Sequence, residues 1–286
     1  LSLDLTLSYV NHKDINMMTQ GQYHNPLLPL YLFPRGDDME KYKVYERYNA
    51  ERNFKTQFWP YENQGLGMQN PYWVANKEQF KNKTDRYSLT AALKYDVLDW
   101  LNITGRVRID NTDNVYTRKI SASADLLFAS ENGYYQNRKL RDRQTYADIL
   151  ANIDKRFSNG ISLTSTIGAS IMDMRNDVTG LEGFLVQVPD FFSFENMDMS
   201  DAQTKAIQSG YRDQTQAIFA TVQVGYKSLV YLDLTARNEW ASQLAFTDNG
   251  TSFFYPSVGL SGVMSDIFSL PKNIISFMKV RGSYSE

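Results

Sequence analysis

Polarity alternates strictly along Leu101-Asn102-Ile103-Thr104-Gly105-Arg106-Val107-Arg108-Ile109-Asp110, where odd residues are apolar or glycine and even residues are polar or charged. Successive side chains of a β-strand point to opposite faces, so this stretch predicts a strand with one apolar and one polar face. Similar alternation predicts nine strands in all. They lie near 1–16, 84–98, 101–113, 144–157, 161–175, 213–226, 230–242, 253–265 and 274–286.

The predicted connections are short on one side of the strands and long on the other. Asp99-Trp100, 158–160 and 227–229 are tight turns, and the connection near 266–273 is somewhat longer. The other side holds 17–83, 114–143, 176–212 and 243–252. Barrels that cross outer membranes combine alternating strands with short periplasmic turns and long extracellular loops. The fold class predicted is therefore all-β, an antiparallel transmembrane β-barrel segment with long extracellular loops.

Two short helices are predicted inside the long connections. The first covers Asp37 to Tyr48, with Asp37 as its N-cap and Glu40 three residues later. The second begins at Ser200, which has capping-box spacing to Gln203, and ends at Gly210.

Composition excludes several classes of function. Lysine plus arginine number 30 against 32 aspartate plus glutamate, a balance that argues against a general nucleic-acid binder. The chain has no cysteine, so it forms neither disulfides nor thiolate metal sites. Its sequence also lacks the apolar run of about 18 residues that a transmembrane helix needs.

Few residues suggest catalysis or metal binding. His12 and His24 are the only histidines, and their spacing matches no zinc motif. Acidic groups at a strand end and in a long loop could bind a structural calcium ion through oxygen ligands, although ordinary surface acids are the simpler interpretation. The candidates are Asp110, Asp113, Glu195 and Asp198, with Asp201 nearby. No other cofactor is expected, and the protein is not expected to be an enzyme.

Aromatic clusters in the long connections are the best candidates for ligand contacts. Flat aromatic faces bind sugar rings and peptide side chains, with arginine supplying polar contacts. The alternative is that these rings pack the loops together. The candidate ligand-binding residues are Arg35, Trp59, Tyr72, Trp73, Tyr134, Tyr135 and Arg138.

Several stretches resemble SusC-like (starch-utilisation-system type) TonB-dependent outer-membrane transporters. The most specific is Tyr231-Leu232-Asp233-Leu234-Thr235-Ala236-Arg237-Asn238-Glu239-Trp240, followed by Phe254-Tyr255-Pro256-Ser257-Val258. Others are Asn25 to Gly36, Pro71-Tyr72-Trp73 followed by Asp85-Arg86-Tyr87, Tyr95 to Asn102, and Lys279 to Tyr284. These matches run in the family's order from residue 25 to the end.

The resemblance implies a multi-pass protein of the Gram-negative outer membrane that imports a nutrient, an oligosaccharide or a peptide, with energy from the TonB complex. Such transporters have a 22-stranded barrel, an N-terminal plug and a SusD-like lipoprotein partner. Residues 1–286 would then be a middle part of the barrel domain, about nine strands, without the plug or the TonB box. The identity of the substrate is left open.

Two other functions are compatible with the sequence. An outer-membrane barrel enzyme would need a catalytic group that includes His12 or His24. A surface adhesin with a soluble β-sandwich fold would need a second sheet over the apolar face that carries Leu89, Leu93 and Val107.

Overall fold

The structure is a computed structural model, and it describes residues 1–17, 21–61, 68–247, 250, 252–271 and 273–286. Eleven strands occur in this part of the chain: β1 Ser2–Ile15, β2 Glu46–Asn49, β3 Phe54–Gln57, β4 Glu78–Leu98, β5 Leu101–Ser121, β6 Gly133–Arg156, β7 Ile161–Phe184, β8 Lys205–Tyr226, β9 Val230–Ala241, β10 Ser252–Val263 and β11 Lys279–Ser285. The helices are α1 Leu27–Tyr31, α2 Pro71–Lys77 and α3 Met264–Ile267, with 3₁₀ turns at Met39–Lys43, Phe194–Asn196 and Ser242–Leu244.

Nine strands form one antiparallel sheet in the order β1-β4-β5-β6-β7-β8-β9-β10-β11. Each of these strands pairs with its neighbour along the chain, except that β2 and β3 form a separate small hairpin between β1 and β4. The sheet is open, with β1 and β11 at its edges. The nine predicted strands are thus confirmed, while the β2–β3 hairpin was not predicted.

The central strands are longer than the alternation predicts. Strands β4 to β8 have 21 to 24 residues, which reduces two of the long connections to 122–132 and 185–204. Beyond the alternating part apolar and polar residues no longer alternate strictly, but the backbone hydrogen bonds continue because they do not depend on side-chain polarity. The helix predicted from Ser200 to Gly210 is therefore wrong, since Gly210 lies within β8 and pairs with Asp177.

The helix predicted from Asp37 is also wrong in its bounds. A short 3₁₀ helix covers Met39–Lys43, and the side chain that caps it belongs to Asp38.

At the other end of the sheet, the tight turns are confirmed. Gly160 has φ +82°, and Lys227 and Ser228 have φ of 49° and 60°, the left-handed conformations that such hairpin turns require.

Strand register gives the sheet an apolar face, formed by odd residues of β1 and β4 to β7 and even residues of β8 to β11. One row crosses Leu7, Leu89 and Ile109, which lie directly opposite one another. On β4 this face is apolar from Tyr87 to Val97, about 33 Å along the strand and about 25 Å high at the tilt usual for membrane barrels. That height equals the apolar band of an outer-membrane barrel.

No second sheet covers this apolar face in the described part of the chain. Leu89 is 40% exposed, Leu93 49% and Val107 45%. A β-sandwich buries such side chains between two sheets, and the described residues do not form that arrangement.

The opposite, polar face carries ion pairs between neighbouring strands. Arg106 binds Asp148 at 2.6 Å, and Arg86 binds Asp110 at 2.7 Å. Paired, partly hydrated charges of this density suit a water-filled interior.

No helix in the described residues has the length and apolar character needed to span a membrane.

Candidate functional site

The long connection between β1 and β4 folds over the polar face at the end of the sheet that bears the long loops. A buried cluster, which we call the anchor, fixes it there: His24, Gln69, Glu78 and Arg118. The Glu78 carboxylate is fully buried and lies 2.6 Å from His24 Nδ1, and it also accepts a hydrogen bond from Gln69. Arg118 lies 2.7 Å from His24 Nε2.

This geometry assigns the hydrogen-bond roles of the two His24 ring nitrogens. A guanidinium group only donates hydrogen bonds, so Nε2 accepts from Arg118. Nδ1 is then the nitrogen that donates a hydrogen bond to Glu78. The ring also packs against Phe128, with centroids 4.2 Å apart. The anchor thus joins the loop to β4 and β5 by directional hydrogen bonds and by packing.

Aromatic side chains hold the outer part of the same connection together. Phe33, Tyr42, Trp59 and Tyr61 pack with ring centroids 5.0 to 6.3 Å apart. Both tyrosine hydroxyls donate to Asp37 at 2.5 Å.

Hydrogen bonds within this cluster shift the ionisation of its acid and of one tyrosine. The bond from Lys41, followed by those from Tyr42 and Tyr61, lowers the pKa of the Asp37 carboxyl below its ordinary value. The bond to Asp37 in turn raises the pKa of Tyr61. The cluster therefore keeps the Asp37 carboxylate charged and the Tyr61 phenol neutral over the ordinary pH range.

A first pocket, of about 290 Å³, opens beside this aromatic cluster. Trp59 and Tyr61 line one part of it, and the remaining lining is mainly polar: Gln57, Met68, Gln69, Ser123, Ala124 and Asp125. The indole Nε1 of Trp59 is buried and has no hydrogen-bond partner among the described residues. An aromatic ring beside amide and hydroxyl groups is a suitable surface for a sugar ring or a peptide group.

A second pocket, of about 430 Å³, lies on the polar face next to the anchor. Asn82, Tyr116 and Arg138 form one row across β4, β5 and β6, and Asp14, Met17, Phe80 and Asn114 complete the lining. Arg138 is exposed and forms no ion pair within the described residues. Asn114 donates to the Asn82 side chain at 2.8 Å, which fixes both amides.

The predicted ligand residues do not form a single site. Trp59 lines the first pocket and Arg138 the second. Trp73, in contrast, is only 1% exposed and packs against Tyr45. Arg35 is exposed elsewhere on the loop.

The three predicted tyrosines also lie apart. Tyr72 is half-buried on α2. Tyr134 and Tyr135 are adjacent in β6 and point to opposite faces of the sheet. Burial raises the pKa of Tyr134 to about 12, and Arg118 lies 4.9 Å from its ring. Tyr135 instead packs beside Phe194 on the other face.

Sequence reasoning missed the polar residues that line the two pockets, especially Gln57, Gln69, Asn82 and Tyr116. Such residues are common in loops and strands, so composition does not distinguish them. Strand register is what places Asn82 and Tyr116 in the same row as Arg138.

Three of the four candidate calcium ligands already bond to other side chains of the protein, and the four do not come together in one site. Asp110 pairs with Arg86 and Arg108, and Asp113 pairs with Arg141 at 2.6 Å. Asp198 accepts hydrogen bonds from Ser200, and Glu195 lies in the 3₁₀ turn Phe194–Asn196. No group of three or more histidine or acidic side chains in the described residues is arranged to hold a metal. Calcium binding stays a prediction.

The fold resembles that of solved transporters. The chain matches the RagAB peptide transporter with a TM-score of 0.66 and 18% identity over 76% of this chain and 24% of that chain. The open-open state of the RagAB peptide importer gives 0.67 at 18% identity, and the closed-closed state gives 0.63 at 20%, with the same coverage. No family model and no curated protein matches the sequence.

The chain thus spans about a quarter of the length of the solved chains that it resembles. At such low identity the likeness establishes the fold alone. It confirms the predicted fold class, an antiparallel β-barrel segment.

Proposed function

We propose that residues 1–286 are part of the barrel domain of a SusC-like, TonB-dependent importer in the outer membrane. The observation that carries this proposal is the single meandering sheet, with a bare apolar face, that superposes on the RagAB peptide transporter. The apolar face contacts lipid, and the polar face lines the passage. The long connections then lie outside the cell, and the tight turns lie in the periplasm.

The cargo of this importer is an oligosaccharide or a peptide. RagAB, one of the structural neighbours, is a peptide importer, and the two pockets here offer contacts for either class of cargo. Trp59 offers a flat aromatic ring in the first pocket. Arg138 offers a guanidinium group that can bind a peptide carboxylate with two hydrogen bonds, or sugar hydroxyls with single ones.

Transport requires binding and release of the cargo, and no bond in it is cleaved. The rival function, a barrel enzyme, finds no support at the histidines. His24 bonds to Glu78 and Arg118 in the anchor, and exposed His12 pairs with Asp14, so neither contacts a serine hydroxyl in the described part of the chain.

The resemblance to SusC-like transporters supplies the remaining parts of the proposal. A SusD-like lipoprotein covers the extracellular mouth, and the TonB complex supplies energy through segments outside this sequence. The two pockets lie at the end of the sheet that such a lipoprotein would face.

Uptake by cells that produce the intact protein tests this function. Labelled oligopeptides and oligosaccharides are supplied separately, with and without TonB. We expect TonB-dependent uptake of one class and its reduction by about tenfold in Arg138→Gln, because a charge-assisted contact is lost. Arg156→Gln is the matched control, since Arg156 lies on the same face of β6 near the tight turn.

The abundance of each variant in the outer membrane is measured beside its uptake. Uptake that continues without TonB, or a protein that is absent from the outer-membrane fraction, contradicts the proposed function. Equal uptake by Arg138→Gln and Arg156→Gln would remove Arg138 from the site and leave the transport proposal standing.

A further inference from the structure

Three arginines lie side by side on the apolar face, just beyond its apolar part. Arg143 on β6 lies opposite Arg175 on β7, and Arg175 lies opposite Arg212 on β8. Neighbouring strands are about 4.8 Å apart, so this arginine row brings three positive charges close together. Like charges directly opposite each other destabilise a sheet, and the row therefore suggests that an anion compensates them.

Protein carboxylates compensate the arginine row only in part. Arg175 pairs with Asp177 at 3.1 Å, and Arg212 pairs with Asp173 at 2.7 Å. Arg143, which is exposed and adjoins Arg175, has no ion pair within the described residues. One unit of positive charge is left at the end of the row beside β5.

A groove of about 900 Å³ runs along the same face, nearer to the tight turns. Ala147 and Ala169 provide its small side chains, and Ile149, Ile218 and Trp240 are larger and project beyond them. Ala147 lies four residues from Arg143 along β6, so the groove is about 13 Å from the arginine row.

Polar residues also line the groove on the side nearer to the arginine row, namely Gln214 and Gln216. The surface thus changes from apolar to polar to cationic along the direction of the strands. An acyl lipid with an anionic headgroup shows the same order along its length.

We propose that this groove and the arginine row bind one lipid of the outer leaflet, with an acyl chain in the groove and a phosphorylated headgroup on Arg143 and Arg175. The proposal rests on the outer-membrane location proposed above, since only there does the apolar face meet lipid. Phosphate oxygens accept charge-assisted hydrogen bonds from guanidinium groups, and the bound anion neutralises the charge that the aspartates leave.

Binding is tested on the intact protein, purified in detergent and stripped of lipid. The probes are the acylated glucosamine disaccharide of outer membranes with its phosphates, the same lipid without phosphates, and inorganic phosphate. Native mass spectrometry measures the dissociation constants. We expect the phosphorylated lipid to bind more tightly than the other two, and Arg143→Gln to weaken it by about tenfold.

Three further variants make the test specific. The double variant R143Q/R175Q should weaken binding of the phosphorylated lipid by about a hundredfold. The control K13Q/K83Q removes two opposed cations from the same face, away from the groove, and should change binding by less than about twofold. Filling the groove with Ala169→Phe should weaken both lipids. Heat-modified migration on gels verifies that each variant is a folded barrel.

Equal binding of the two lipids, or equal effects of R143Q/R175Q and K13Q/K83Q, would overturn the lipid site. Displacement of the lipid by equimolar inorganic phosphate would also overturn it, because it would show a site for free phosphate. A protein that is soluble without detergent would instead overturn the outer-membrane location itself. The two failures are therefore distinguishable.

Discussion

Replacement of His24 by alanine should release the long connection between β1 and β4 from the sheet. The side chain of Glu78 is fully buried, and His24 is one of its two side-chain hydrogen-bond partners among the described residues. Without the imidazole, Gln69 is the partner that the carboxylate keeps in this part of the chain, and Arg118 loses the His24 acceptor. Loss of a hydrogen-bond partner by a buried polar group costs about 1–3 kcal/mol, and we expect His24→Ala to lie at the upper end of this range because the group is a carboxylate.

Two further histidine variants show whether the hydrogen bonds are the cause. His24→Gln keeps one donor and one acceptor but loses the ring packing on Phe128, so we expect a cost of about 1–2 kcal/mol. His12→Ala is the matched control. Its imidazole is 65% exposed and pairs with Asp14 at the surface, which predicts a change within about 0.5 kcal/mol.

Hydrogen exchange of the intact protein in detergent, followed by mass spectrometry, measures the effect. The peptides of interest cover 21–33 and 68–80, and their exchange rates give the free energy of local opening. His24→Ala should speed exchange in both peptides and leave the β7–β8 ladder unchanged. If His24→Ala and His12→Ala exchange alike, the anchor does not hold the loop and the argument from burial is refuted.

Two other predictions concern the sheet and the aromatic cluster. A Cβ at Gly168 would lie 2.6 Å from Leu150 and 3.0 Å from the backbone of Ile149, so Gly168→Val should destabilise the sheet by about 1–3 kcal/mol. Gly105→Val is the control, because a Cβ at Gly105 would meet nothing within 4 Å. If the two variants unfold at the same temperature, measured by heat-modified migration on gels, the prediction is contradicted. The lowered pKa of Asp37 means that its carboxylate stabilises the loop above the unfolded-state pKa of about 3.9, and that this stability is lost as the pH falls through the lower folded-state pKa. Amide hydrogen exchange in residues 33–61 of the native protein should therefore rise only below about pH 3.9. In Asp37→Asn the same residues should exchange fast already at pH 7, with no further rise at low pH.

Local alternation was sufficient to predict the nine strands of the main sheet and their two faces, but not the full length of β4 to β8. The pattern from Leu101 to Asp110 identifies a two-faced strand, and Gly160 marks a tight turn, because both features depend on residues close together in the chain. The resemblance to SusC-like transporters then indicated a barrel in the outer membrane. The sequence by itself thus determined that the chain forms antiparallel strands and which face of each strand is apolar.

The candidate site depended on contacts that are distant along the chain. His24 meets Glu78 across 54 residues, and no periodicity encodes that pairing. Trp59 and Trp73 occur in similar aromatic clusters, yet one lines a pocket and the other is buried. The continuation of β6 past its alternating part separated Tyr134 from Tyr135. Only the tertiary structure decided these points, because burial and side-chain partners depend on how the loops pack, whereas strand faces follow from the backbone alone.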